Sequence, residues 1–233
     1  MSENIKKITK AFVVDLDSRE NQNILKPSAR PFNNQAHQVD EVVKKIYELI
    51  EDAKHPNDDI ILNHSEIKEA FFSPFKPQLK NAQVFLSYSH ADKNKALEIK
   101  NYLESKTNHR VRVFIDSLFW DYKDDVLNEL EKYDDTSKIK DAFTLILRES
   151  LQDMIEKCPY FVFLQSNNSV SNQGLSCTTY SAWIYEELKI AHSIRESRPT
   201  PMMESWQVSH NISPFLESLE TITLSKLSHI INS

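Results

Sequence analysis

The residues best suited to chemistry in this chain are carboxylates, hydroxyls and aromatic rings gathered in three short segments. The most informative is 180–194, YSAWIYEELKIAHSI. At about 100° per residue, Trp183, Ile184, Glu187, Leu188, Ile190, Ala191 and Ile194 share a helical arc of about 160°. Every member except Glu187 is apolar. Glu186 falls outside the arc, beside Lys189 and Ser193. The two adjacent glutamates are therefore expected in different surroundings, Glu186 toward solvent and Glu187 toward protein or a cleft. An inward carboxylate is costly unless it is paired or lines a polar site. Such a group is a candidate for function. It is equally a candidate for structure, capping a loop or pairing with a buried Lys or Arg, and spacing alone does not choose.

The second segment is 84–93, VFLSYSHADK. An apolar strand pattern runs into Ser87, Tyr88, Ser89 and His90, and a helix is expected to begin near Asp92. Hydroxyls and N-terminal amides there suit a phosphate or a ribose. Plain helix capping by Ser89 or Asp92 is the simpler reading of the same residues. The third segment is 114–125, FIDSLFWDYKDD, where Phe119, Trp120 and Tyr122 cluster just past a strand pattern. Rings in such a loop can stack on a flat base or a nicotinamide; packing on the domain is the default.

Composition removes several alternatives. The chain holds one glycine, Gly174, where average usage of about 7% would give roughly 16. Neither GxGxxG nor GxxxxGK[ST] can be written with it, so a Rossmann fingerprint and a P-loop are both excluded. The eight histidines show no HExxH or paired-ligand spacing, and no metal site is expected. Lys and Arg total 28 against 34 Asp and Glu, a net charge of −6, which disfavours a nucleic-acid partner. The longest apolar run, near 160–164, is far too short to span a bilayer, and the N-terminus lacks the pattern of a signal peptide. A soluble, cytoplasmic protein with no membrane partner is expected. Cys158 and Cys177 fit a reducing compartment and read as buried or idle thiols rather than nucleophiles.

The elements that must position these residues follow from periodicity. Residues 10–16 (KAFVVDL) read as a short strand and 21–35 as a polar loop. Val39, Val42, Val43, Ile46, Leu49, Ile50 and Ala53 recur at helical spacing, predicting an amphipathic helix over 38–54. A second helix is expected over 65–72, with Phe71, Phe72 and Phe75 packing against the domain that follows, the favoured reading, or forming a partner or oligomer surface. Beyond Pro77 strands are expected at 83–89, 110–116, 160–165 and 219–223. Helices are expected at 92–105, 124–132, 138–157, 180–194 and 225–231, with a polar loop at 167–179. Strand–helix alternation of this kind argues an α/β domain with a parallel, doubly wound sheet. Its sites lie beyond the carboxyl ends of the strands, which points to 88–92, 116–123 and 166–179.

The order VFLSYSHADK, VFIDS, YFVFLQS and then S-x-W-x-x-x-E-L (Ser181, Trp183, Glu187, Leu188) resembles a bacterial Toll/interleukin-1 receptor (TIR) domain over about 82–195. The resemblance implies a flavodoxin-like, doubly wound parallel sheet over 81–233, preceded by a mainly helical N-terminal extension over 1–80. Between Asp116 and Tyr160 the chain is longer than the family carries, implying an insertion around 118–140. The strand the family places after Ile194 has no clear counterpart. In enzymatic TIR domains the Glu of W-x-x-x-E cleaves the nicotinamide–ribose bond of NAD, a role that falls on Glu187. Ser89, His90 and Trp120 would border the nucleotide, and Trp183 would shape the pocket wall. NAD would be substrate, with no separate cofactor. Stand-alone bacterial TIR proteins serve in antiphage defence, including Thoeris-type systems. The product would be an ADP-ribose signal, linear, cyclic or modified, read by a downstream effector, and a homo-oligomer would form on activation. The alternative from the same family is a non-catalytic adaptor acting through TIR–TIR contacts.

Overall fold

The computed structural model describes residues 10–25, 39–52, 63–72, 81–108, 110–115, 125–131, 137–173, 176–196 and 210–232. The chain divides into two compact units. One comprises 1–31, 81–116 and 151–233, the other 32–80 and 117–150.

The first unit is built on a five-stranded sheet ordered β3-β2-β4-β1-β8, with every pair parallel. Its strands are β1 (Lys10–Asp15), β2 (Ala82–Ser87), β3 (Arg112–Ile115), β4 (Tyr160–Gln165) and β8 (Glu220–Thr221). The central strands are apolar on both faces, as parallel strands covered on both sides must be. Thus Ala11, Phe12, Val13 and Val14 of β1 and Phe161, Val162, Phe163 and Leu164 of β4 are all buried.

Alternation sends Phe12, Val14, Val84, Leu86, Val113, Ile115, Val162 and Leu164 to one face. There they meet Ala96, Ile99 and Leu103 of helix α4 (Lys93–Lys106) and Leu227 and Ile231 of helix α8 (Leu224–Asn232). The other face carries Phe85, stacked on Phe161 at 5.8 Å and tilted against Phe114 at 5.7 Å. Helix α6 (Ala182–Glu196) packs on β2, and its buried residues lie outside the first cluster, which places it over this second face.

The expected α/β class and parallel sheet are observed, but the 1–80 boundary does not describe the fold. Residues 10–15, assigned to an N-terminal extension, lie inside the sheet between β4 and β8. Numbered from β2, the order is 2-1-3, then β1, then the last strand. A flavodoxin-like sheet reads 2-1-3-4-5, so the fourth place is filled from the start of the chain. This accounts for the strand with no counterpart after Ile194. The next strand among the described residues, β7 (His210–Asn211), pairs instead with β6 (Ser176–Thr179), which also pairs with β5 (Ser171–Gln173) in a small antiparallel sheet.

Two segments expected to be loops contain regular structure. Helix α1 (Arg19–Ile24) occupies the start of 21–35. Ser18 Oγ accepts from Asn21 N (3.4 Å), and the buried Asn21 side chain donates to Asp15 O (2.6 Å) and accepts from Leu224 N (2.9 Å). Those long-range bonds override a polar composition. Strands β5 and β6 occupy part of 167–179; built of Ser, Asn, Gln, Thr and one Cys, they carry no apolar alternation to announce them.

The second unit is helical in its described residues. Helix α2 (Val39–Asp52) buries Val42, Val43, Ile46 and Ile50, and helix α3 (His64–Phe72) buries Ile67, Ala70 and Phe71. Residues 125–130 are helical and bury Val126, Leu127 and Leu130. Helix α5 (Ser137–Lys157) begins in this unit, where Phe143 meets Phe71 edge-on at 5.5 Å. Phe71 therefore packs on the 117–150 segment. Phe75 and the side chain of Phe72 lie outside the described residues.

Candidate functional site

Strand order reverses between β2 and β4: from β2 the chain moves outward to β3, then crosses back to β4. Ligands of open α/β sheets sit beyond the carboxyl ends of the strands at such a point. Two polar turns occupy that edge here. After β2 come Tyr88, Ser89 and a 3₁₀ turn, His90–Asp92; after β4 come Ser166, Asn167 and Asn168.

The capping reading of the first turn does not hold. Neither Ser89 nor Asp92 makes a side-chain cap bond, although Asp92 N donates to Ser89 O at 2.7 Å. The Asp92 carboxylate, 2% exposed, is turned across the sheet edge instead. Its Oδ2 accepts from Ser166 Oγ (2.5 Å) and its Oδ1 from Asn168 Nδ2 (2.9 Å), with Lys95 Nζ 3.6 Å away. Ser166 Oγ in turn accepts from Asn168 N (3.1 Å) and Ser169 N (3.2 Å). Lys95 also reaches Asp17 Oδ1 (3.6 Å), whose Oδ2 accepts from Asn167 N (3.0 Å). The turns after β1, β2 and β4 thus share one network.

Helix α6 supplies the other component. Thr179 Oγ1 accepts from Ser181 N (3.2 Å), and Ser181 Oγ accepts from Ile184 N (3.2 Å), starting the helix with serial hydroxyl caps. Along its length it is held by Phe215 of helix α7 (Ser213–Glu217), whose ring lies 5.6 Å from Tyr185 and 5.4 Å from His192. Helix α7 is anchored by Cys177 N donating to Ser213 Oγ at 2.8 Å. On α6, Ile184, Leu188, Ile190 and Ala191 are buried, and Glu187 among them is 0% exposed. Glu186 was expected to face solvent. It is 8% exposed, with Lys189 Nζ 3.5 Å from its Oε2. Glu186 sits against an ammonium one helical turn away, and Glu187 sits in the apolar stripe.

Ser89 (half-buried) and His90 (exposed) lie at the carboxyl end of β2, as the sequence places them. Trp183 is partly exposed, one turn before Glu187 on the helix that packs on β2. Trp120 lies outside the described residues. Sequence reasoning flagged the two turns but missed what joins them, Asp92 with Ser166 and Asn168, since nothing local marks a hydrogen bond between residues 74 and 76 positions apart. Ser87, the last residue of β2 and named among the hydroxyls that end the strand, is fully buried on the α6 side of the sheet. Its hydroxyl makes no hydrogen bond among the described residues. An unbonded polar atom in that position was detectable only as a serine interrupting the apolar run VFLS.

Among the described residues no group of three or more His, Cys, Asp and Glu is placed to hold a metal ion, and no helix is long and apolar enough to cross a membrane. Comparison with protein-family models, with curated proteins and with solved structures gives no match.

Proposed function

We propose that this chain is a TIR-type, flavodoxin-like enzyme that cleaves the nicotinamide–ribose bond of NAD, with Glu187 as the catalytic carboxylate. The observation that carries the proposal is the complete burial of that carboxylate in the apolar stripe of α6, the helix that packs on β2. Cleavage of the glycosidic bond passes through a ribose with oxocarbenium character and expels neutral nicotinamide. A carboxylate held in a water-poor environment stabilises the developing positive charge and can hold the ribose hydroxyls, as in glycoside hydrolysis. That chemistry needs neither a glycine loop nor a metal. The ADP-ribose product, released or cyclised, would act as a signal to a downstream effector in antiphage defence.

Full enclosure of Glu187 also sets a requirement. NAD reaches the carboxylate only after part of its cover moves, and assembly with a second copy is the event proposed to move it. The same burial supports a second reading, a non-catalytic TIR adaptor whose Glu187 stays sealed. The separating experiment is chromatography of NAD incubated with concentrated protein, with and without crowding agent. Nicotinamide release by wild type and Glu186→Gln, but not by Glu187→Gln, supports the enzyme. Equal release by wild type and Glu187→Gln, or loss in Glu186→Gln alone, overturns the assignment of Glu187. No release under any condition favours the adaptor.

A further inference from the structure

We infer that Asp92 is a positioning residue for the proposed nucleotide site: it ties the turn after β4 to the turn after β2 and so sets the width of the crevice mouth. The inference rests on the NAD-cleaving reading for its functional consequence. The tie itself rests on geometry alone.

Asp92 stands at the N-cap position of α4, where an aspartate ordinarily accepts from the helix's own first amides. It makes no such bond. Its carboxylate is almost wholly removed from solvent, and both oxygens are committed to the 166–168 turn across the edge. The two donors are not independent. Ser166 Oγ gives its only proton to Asp92, and its lone pairs receive the amides of Asn168 and Ser169. Ser169 Oγ closes the turn by accepting from Ser166 N at 2.8 Å. Releasing Asp92 therefore loosens a whole turn, since the serine that organises it loses its anchor. On the other side Asp92 N holds Ser89 O, so the position of Ser89 and His90 depends on the same residue.

These are the turns that flank the reversal of strand order, and neither contains Glu187. A fault in the tie should misplace bound nucleotide more than it alters the reacting bond. Lys95, bridging Asp92 and Asp17, is too exposed to carry the tie and acts as a partial counter-charge.

The test uses the full chain. Asp92→Asn keeps the shape but removes the charge and one of the two acceptors to which Ser166 Oγ and Asn168 Nδ2 donate. The exchange Asp92→Asn with Asn168→Asp restores one donor facing one acceptor. Amide hydrogen exchange at Asn168 and Ser169 reads the tie without reference to activity. It should quicken at least about tenfold in Asp92→Asn and return toward wild type in the exchanged pair. In the nicotinamide assay KM for NAD should rise about tenfold or more with kcat within about threefold, and the pair should recover. Ser166→Ala, which leaves the charge in place, should reproduce both effects and serves if Asp92→Asn fails to fold. Unchanged exchange in both single variants overturns the tie. Faster exchange with an unchanged KM in an active enzyme overturns the positioning role. Wild type that releases no nicotinamide overturns the role together with the NAD-cleaving reading, while the exchange result still decides the tie.

Discussion

Two buried glutamates on helices flanking the same sheet are held in different ways. Glu104 on α4 is 7% exposed, and its Oε1 accepts both from Lys100 Nζ (2.5 Å) and from Val113 N (3.0 Å) on edge strand β3. Lys100 Nζ also donates to Val113 O at 2.7 Å. Lys100 and Glu104 thus bond the outward amide and carbonyl of Val113, polar groups that an unprotected edge would offer to another strand. Glu187 on α6 has Trp183 and Ile184 one turn before it and Ile190 and Ala191 one turn after, and it is fully enclosed. A lysine at i−4 with an edge strand within reach marks a carboxylate that serves the fold. Glu187, fully enclosed within the apolar stripe of the helix that packs on β2, is the carboxylate to be tested for chemistry.

The largest effect should come from crossing the two sites. Glu187→Gln should lower nicotinamide release by about a thousandfold or more, the scale of losing an electrostatic stabiliser of the transition state. Its unfolding temperature should stay near wild type, because the shape is kept. Glu104→Gln should leave kcat/KM within about twofold for the folded protein. The comparison fails if the two variants lose activity to the same extent.

Next in size is stability at the β3 edge. Glu104→Ala strands the Lys100 ammonium and the Val113 amide in a partly buried position, a loss of about 1–3 kcal/mol. At about 2–4 °C per kcal/mol for a chain of this size, calorimetry should record a fall of several degrees. Association through the uncovered edge should appear as concentration-dependent light scattering. A smaller shift of opposite sign is expected at the carboxyl end of β2. Ser87→Ala removes a buried hydroxyl that makes no hydrogen bond among the described residues, and should raise stability by up to about 1 kcal/mol. If KM for NAD rises as well, Ser87 belongs with Glu187 rather than with the scaffold.

Much of the sheet is legible in the sequence because parallel strands must be apolar on both faces. FVV of β1, VFL of β2 and FVFL of β4 stand out for that reason. The place of β1 is not legible, since a run such as KAFVVD states that a strand is buried but not between which neighbours. Sequential elements are usually adjacent, and β1 departs from that rule by lying beside β4. At the candidate site, Glu187 is legible because one polar residue breaks an otherwise apolar arc. Ser89 and His90 are legible as residues that follow a buried strand. Asp92 looked like an ordinary cap, and its true partners, Ser166 and Asn168, lie far away in sequence. Glu186 misled because a residue outside the apolar arc is nonetheless only 8% exposed, and what surrounds it in the fold leaves no trace in the periodicity.

Cys158 shows what burial does to an ionisable group by itself. It follows α5, is fully enclosed, and its thiol is pushed by desolvation from an ordinary value of 9.0 up to about 12. Below pH 9.0 the thiol is neutral in folded and unfolded chains alike, so it adds no pH dependence. Above pH 9.0 the unfolded chain loses the proton and the folded one keeps it. The unfolded state then binds fewer protons, and stability falls with rising pH until about 12, by at most about 1.4 kcal/mol per unit. Denaturant titrations of wild type and Cys158→Ala at pH 8 and pH 10 isolate this contribution. The difference in stability between the two proteins should shrink at pH 10, because only wild type has a thiol to ionise on unfolding. An unchanged difference would mean that the thiol does not resist ionisation in the folded chain, and that enclosure alone is a poor guide to how buried groups such as Glu187 are held.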